Sequence, residues 1–175
     1  MEIREVKQQF FALRNGLLAD MLRKQCALPH RIIFGLNLPQ IKAIADRAGI
    51  DADLAAQLWA DTDCRESRLL APMVSDPSAA GHLARLEEFR SVEEADVACH
   101  RLLRHCPGAL AAAERALGSD TPLTRYAALR LLLNLMPEPE AAKAAARAVD
   151  AVPFHPLTDA TVRQIRSELA DADAL

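Results

Sequence analysis

The sequence predicts an all-α protein, and three observations support this fold class. Alanine and leucine dominate the 175 residues, while β-branched and aromatic residues rarely alternate as they do in strands. Apolar side chains recur at three- and four-residue steps. Proline, glycine and aspartate interrupt the chain often enough to leave about ten helices, mostly of roughly ten to sixteen residues. Because helices this short cannot each bury a face alone, we expect an α-solenoid of stacked antiparallel pairs, with an irregular bundle as the competing fold.

The first half of the chain contains four predicted helices. An apolar stripe predicts one long helix over 2–26, ended by Pro29. A helix over 38–48 begins near Pro39 and stops at Gly49, and Asp51 caps the next one, over 52–59. Asp63 and Glu66 have the spacing of a capping box for a fourth helix, which Pro72 should kink or end. The stripe consists of Val6, Phe10, Leu13, Leu17 and Met21.

The second half repeats these signals. Asp76 and Pro77 predict a helix through 83–89, and Ser91 with Glu94 has capping-box spacing for a helix that reaches residue 105. Pro107 opens the next helix and Gly118 stops it. The remaining helices are expected over 123–136, after a start at 120–122, and over 141–149 and 158–170.

Composition and charge indicate where the protein resides and which surfaces could bind a partner. No apolar run approaches the roughly 18 residues of a membrane span, and early charges argue against a signal peptide, so we expect a cytoplasmic protein. The four cysteines form no C-x-x-C pair, which favours buried free thiols. Net charge is −3, with eleven Lys and Arg against fifteen Asp and Glu over 73–175. A surface that binds nucleic acid must therefore be a local face.

Two segments carry a resemblance to a known family. The stretch IFGLNLPQIKAIA over 33–45, followed by Leu58-Trp59 and by RESRLLA over 65–71, resembles the opening repeat of the DNA alkylation repair (AlkD-like) family of all-helical glycosylases. The similarity extends over 31–134. It implies a single domain over 1–175 that is built from HEAT-like helix pairs and binds duplex DNA on a concave helical face.

The resemblance also implies site residues. In VEEAD over 92–96, Asp96 falls on the catalytic acid of the family, and Val92 falls where the family has an aromatic residue. Arg125 matches an arginine that faces DNA, and Tyr126 is the aromatic residue beside it. The family has a further aromatic residue in a later repeat, and we expect this chain to end before that repeat is complete.

Basic residues elsewhere complete the expected DNA surface. Arg65 and Arg68 are three residues apart, so they share a helical face and are candidates for phosphate contacts. A concave positive face would include some of Arg65, Arg68, Arg101, Arg104, Arg125 and Arg130.

The chemistry implied by the family requires no cofactor or metal. An N3- or N7-alkylated purine is cationic and leaves as a neutral base, while positive charge develops on the sugar. A nearby carboxylate stabilises that charge, and aromatic faces hold the cationic base. Asp96 is therefore the candidate catalytic residue of a DNA glycosylase.

Two other interpretations stay open. The acidic balance and the missing aromatic residues also fit a non-catalytic helical-repeat scaffold that binds a protein or peptide partner. The residues Cys99, His100, His105 and Cys106 suggest a metal site, but His100 and His105 point in different directions on a helix. The cysteines lie on one stripe with Leu102, which is typical of a core.

Overall fold

The computed structural model describes residues 1–24, 26 and 28–173, and it confirms the all-α prediction. Among the described residues, β-type pairing occurs only as one isolated bridge between Ile32 and Cys64. The chain forms two compact units, Met1–Asp76 and Pro77–Leu175. No helix of the described residues is long and apolar enough to cross a membrane. The helices are α1 (Ile3–Ala12), α2 (Gly16–Lys24), α3 (Leu38–Ala48), α4 (Ala52–Ala60), α5 (Arg65–Val74), α6 (Val92–Arg101), α7 (Ala109–Ala116), α8 (Pro122–Leu135), α9 (Pro139–Ala151) and α10 (Pro156–Asp173).

The long helix predicted over 2–26 is wrong, because the structure has two helices there. The side chain of Asn15 accepts a hydrogen bond from the Leu18 N–H at 3.1 Å and so caps α2. The Asn15 N–H in turn donates to the Phe34 carbonyl at 2.8 Å, outside the helix. Leu17 is consequently 84% exposed, and the apolar stripe is buried only in α1. The predicted end of the helix adjoins residues 25 and 27, which lie outside the described residues.

Local capping signals explain α3 and α4, which confirm their predictions. Asn37 and Gln40 form a reciprocal capping box at the start of α3. The Asp51 side chain accepts the Leu54 N–H at 3.0 Å at the start of α4. The predicted capping box of Asp63 and Glu66 is wrong. The residue before α5 is Cys64, which makes no side-chain cap, and α5 continues beyond Pro72.

Gly35 lies where the loop before α3 crosses the start of α2. Its φ is +80°, and a Cβ atom there would lie 2.2 Å from the Asn15 carbonyl oxygen and 2.8 Å from the Ala19 nitrogen. Both obstacles are backbone atoms, which cannot move aside cheaply. The loop therefore requires glycine for its conformation and for its close approach to α2.

We expect Gly35→Ala to destabilise the protein by at least about 2 kcal/mol, since it adds both backbone strain and overpacking. Urea denaturation followed by circular dichroism measures the change. Gly16→Ala is the matched control, because a Cβ atom added at Gly16 would have no neighbour within 4 Å and this residue lies in a helix. This control should be neutral or stabilising by up to about 1 kcal/mol. Equal stability of the two variants would contradict the proposed role of Gly35.

The second unit has two layers of helices. Helix α8 packs against α6 and α10 on its two sides, while α7 and α9 also pack against α8 and form the other layer. The first part of this unit corrects the sequence analysis. The helix predicted after Pro77 is a 3-10 helix over His82–Glu87, and α6 ends at Arg101 before a 3-10 turn over Leu103–His105.

Helices α6, α8 and α10 run in the same direction, as side-chain contacts between them show. Asp96 and then His100 of α6 lie beside Arg130 and then Asn134 of α8, in the same chain order. Likewise, Tyr126 and then Arg130 of α8 lie beside Thr161 and then Gln164 of α10. Arg130 and Gln164 are 34 residues apart, and the same interval separates Asp96 from Arg130. Equivalent positions of successive helix pairs thus repeat at 34 residues. The period is hidden in the sequence because these positions hold three different residue types.

Candidate nucleic-acid interface

A row of polar side chains crosses the layer of α6, α8 and α10. The Asp96 Oδ1 atom accepts a hydrogen bond from the Tyr126 hydroxyl at 2.7 Å and lies 2.8 Å from Arg130 Nε. The contact between Arg130 Nε and Asp96 Oδ1 is an ion pair and not a hydrogen bond, because no acceptor lies in line with the Nε–H. Arg130 Nη1 donates to Gln164 Oε1 at 3.3 Å. A carboxylate, a guanidinium and an amide are therefore linked across three helices.

Helix register explains why these groups meet. Ser91 caps α6 by accepting the Glu94 N–H, which places Asp96 in the second turn of that helix. Tyr126 and Arg130 are four residues apart and therefore share one face of α8. With α6 and α8 parallel, both side chains of α8 reach the same carboxylate.

The environment of Tyr126 keeps its hydroxyl protonated. Burial raises the pKa of Tyr126, and the hydrogen bond to Asp96 and the negative charge of that residue raise it further. Its ring is buried, whereas Asp96 keeps 36% of its side chain exposed. Tyr126 thus holds the Asp96 carboxylate from the buried side. A contact between Tyr126 and DNA stays a prediction.

A second polar row lies one helical turn further along. The side chain of His100 of α6 lies beside that of Asn134 of α8. Asn134 and Glu168 of α10 line a half-open groove of about 440 Å³ together with Arg130 and Gln164. We call the surface formed by the two rows the ladder face. Its residues are Asp96, Arg130 and Gln164 in the first row and His100, Asn134 and Glu168 in the second.

Arg125 does not contact Asp96, although the family resemblance assigns both residues to the DNA-binding site. Its Nη1 donates to the Ser119 carbonyl at 2.8 Å, and its Nε is buried without a hydrogen-bond acceptor. Arg125 thus binds the loop before α8. The arginine beside the candidate carboxylate is Arg130, which the sequence placed only among the cations of the expected basic face.

Arg65 and Arg68 lie inside the first unit, which corrects their assignment as phosphate ligands. They are 3% and 2% exposed. Arg65 Nη1 contacts the Leu36 carbonyl and the Glu66 carboxylate, each at 2.9 Å. Arg68 Nη1 donates to the Trp59 carbonyl at 2.8 Å, and its guanidinium lies 4.9 Å from the centre of the Trp59 ring. Guanidinium groups in these positions cannot reach a DNA phosphate while the unit stays folded.

The cysteines mostly occupy core positions. Cys64, Cys99 and Cys106 are buried free thiols, whereas Cys26 is exposed, against expectation. Burial, with a smaller effect of the Asp96 charge, raises the pKa of Cys99, which makes it a weak nucleophile. In the part of the chain that the structure describes, no group of three or more His, Cys, Asp or Glu side chains could hold a metal ion.

Comparison with known proteins identifies a structural relative. No family model and no curated protein matches the sequence. A solved structure matches 94% of this chain and 74% of its own, with a TM-score of 0.78 and 19% sequence identity. It is described as "a new family of proteins related to the HEAT-like repeat DNA glycosylases with affinity for branched DNA structures". The chain thus has the HEAT-like helical-repeat fold, and the resemblance to the glycosylase family is confirmed at the level of that fold.

Proposed function

We propose that the protein binds DNA and that the ladder face is the surface that contacts it. The observation that carries the proposal is the alignment of polar side chains across three parallel helices. Arg130 and Gln164 supply N–H donors, which are the groups that proteins use to bind phosphate and sugar oxygens. The structural relative, whose described affinity is for branched DNA, adds support and suggests the ligand to test.

Electrostatics predicts how such binding behaves. The chain has a net charge of −3, so attraction to DNA must arise from a few local cations. Each phosphate contact releases counterions, so log K should fall linearly with log salt concentration, with a slope near −0.9 per phosphate contacted. A small set of contacts therefore predicts moderate affinity with clear salt dependence.

The test is equilibrium binding of the full chain to a labelled four-way junction and to a duplex of the same sequence, beginning at about 50 mM salt. We expect binding to both, with preference for the junction, and Arg130→Gln should weaken it about tenfold or more. Arg147→Gln is the matched control, because Arg147 lies in α9 and pairs with Glu114 in the other layer. Absence of binding by the unaltered protein would favour the scaffold interpretation. Equal effects of the two variants would contradict the ladder face.

A second candidate function is excision of cationic alkylpurines, and the observation that favours it is the held carboxylate of Asp96. Tyr126 and Arg130 fix Asp96 Oδ1, while one third of the side chain stays exposed. In this reaction the bond between C1′ and the base breaks, the base leaves neutral, and positive charge develops on the sugar. Asp96 would stabilise that charge while a water molecule adds to C1′ and loses its proton to solvent.

The ion pair between Arg130 and Asp96 weakens the proposed role of the carboxylate unless Arg130 binds another partner. The charge of Arg130 at 2.8 Å offsets the negative charge of Asp96 and so weakens any stabilisation of a cation. A DNA phosphate is a competing partner for the guanidinium, and binding it would restore the field of the carboxylate. Val92 occupies the position where the family has an aromatic residue, and the Tyr126 ring is buried. A cationic base bound beside Asp96 would therefore have no aromatic ring to stack on from either position. We therefore expect excision to be slow.

A further inference from the structure

The end of α6 carries a concentration of basic side chains outside the first ladder row. His100 and Arg101 close the helix, and Arg104 and His105 lie in the 3-10 turn that follows. His100, Arg101 and His105 are exposed and Arg104 is half-buried. We call these four residues the basic cluster. They lie within one stretch of six residues, over 100–105, in a unit whose overall charge is negative.

Within the described residues, the arginines of the basic cluster have no acidic partner. In the second unit, Arg130 pairs with Asp96 and Arg147 pairs with Glu114. By contrast, no described carboxylate lies within 4 Å of the guanidinium of Arg101 or Arg104. Arg104 Nε instead donates to His105 Nε2 at 3.1 Å, a contact that requires this imidazole nitrogen to be unprotonated.

The surroundings of His100 show the same excess of positive charge. Burial lowers its pKa, and so do the charges of Arg104, Arg101 and His105, while the neighbouring Asn134 side chain raises it. The charged residue of α8 that lies one turn before Asn134 is Arg130. Its partner Asp96 lies one turn before His100 in α6. A phosphate beside His100 would reverse this balance and favour the protonated ring.

Helix electrostatics alone does not explain the basic cluster. A cation in the last turn gains about 0.3–1 kcal/mol from the helix dipole, and the effect falls off beyond that turn. His100 and Arg101 lie in the last turn, but Arg104 and His105 lie after it. Holding these basic groups together costs stability in the free protein, and this cost is recovered when an anion binds.

We infer that the basic cluster is a phosphodiester-binding surface that extends the ladder face along the DNA backbone. The inference rests on the proposed DNA-binding function and specifies which side chains supply its phosphate contacts. Arg101 and Arg104 supply permanent charge, and His100 adds charge when a bound phosphate offsets the surrounding cations. The expected ligand is a nucleic-acid backbone rather than a base, because every group in the cluster is a cation or a potential cation.

The test compares the full chain with a double variant, Arg101→Gln with Arg104→Gln, in binding to the four-way junction over a range of salt concentrations. We expect affinity at about 50 mM salt to fall tenfold or more and the salt slope to decrease in magnitude by about 1.8. Arg115→Gln with Arg147→Gln is the control, since it removes two exposed arginines from α7 and α9. The control should change the slope by less than about one half.

Proton uptake supplies the second measurement. The unaltered protein should bind the junction more tightly at about pH 6 than at about pH 8, because histidine gains positive charge as pH falls. A His100→Gln variant should lose most of this dependence. If the protein binds DNA and the arginine variant matches its control, the inference fails and the proposed function stands. If the unaltered protein binds no DNA at either pH, both fail.

Discussion

Replacing Glu66 with Gln is expected to destabilise the first unit by about 3–5 kcal/mol, the usual cost of removing one partner from a buried ion pair. The Glu66 side chain is fully buried at the start of α5. Its carboxylate accepts the backbone N–H groups of Phe34 and Gly35, each at 3.0 Å, and of Leu36 at 3.3 Å. Arg65 lies 2.9 Å from the same carboxylate.

The physical reason is that one carboxylate satisfies three backbone donors and one buried cation. A neutral amide has a single acceptor oxygen, and its NH₂ group would face N–H donors of the loop. Arg65 would at the same time keep a buried charge with weaker compensation. The loop over 33–37 holds α2 and α3 in place, so the damage should spread beyond α5.

Denaturation with urea measures this loss, and amide hydrogen exchange locates it. The Gly35 and Leu36 amides should exchange much faster in Glu66→Gln than in the unaltered chain. Glu87→Gln is the matched control, because Glu87 is exposed and the same substitution there should stay within about 0.5 kcal/mol. A loss below about 1 kcal/mol in Glu66→Gln would show that the loop does not depend on this carboxylate.

Asp96→Asn is expected to reduce release of 7-methylpurine from alkylated duplex DNA by about 10²–10³-fold, without loss of DNA affinity. The asparagine oxygen can still accept the Tyr126 hydroxyl, so the local packing should persist. What is lost is the negative charge that would stabilise the developing cation on the sugar. DNA affinity should not fall, because a carboxylate repels phosphate and competes with it for Arg130.

Single-turnover release under saturating protein separates this chemical effect from binding. Asp120→Asn is the control, because it makes the same chemical change at an exposed position before α8. Release that persists undiminished in Asp96→Asn would remove Asp96 from the chemistry. No release by the unaltered protein, together with junction binding, would leave DNA binding as the function without excision.

The parts of the fold that local sequence determines were predictable. Asn37 and Asp51 cap helices within three residues of themselves, so the starts of α3 and α4 follow from nearby residues alone. The break between α1 and α2 was missed because the apolar stripe continues through Asn15 and Gly16, whereas the backbone contact with Phe34 lies distant in sequence. The boundary between α1 and α2 is therefore determined by a tertiary contact.

The candidate site was predictable only in part, for the same reason. Glu66 has the spacing of a local cap, but its partners lie about thirty residues earlier in the chain. Asp96 was identified through family resemblance, while its pairing with Arg130 depends on the register of two parallel helices. Burial of Arg65 and Arg68 could not be recognised, since charged residues at helical spacing usually indicate an exposed face.

The central claim is that DNA binds across α6, α8 and α10, and side-chain NMR of the full chain tests it most directly. On addition of the four-way junction, we expect the largest shift changes at Arg130 Nε–H and at the side-chain amides of Gln164 and Asn134. The backbone amides of α7 and α9 should stay nearly unchanged, because those helices form the other layer. Changes concentrated in α7 and α9, with these three side chains unaffected, would contradict the claim.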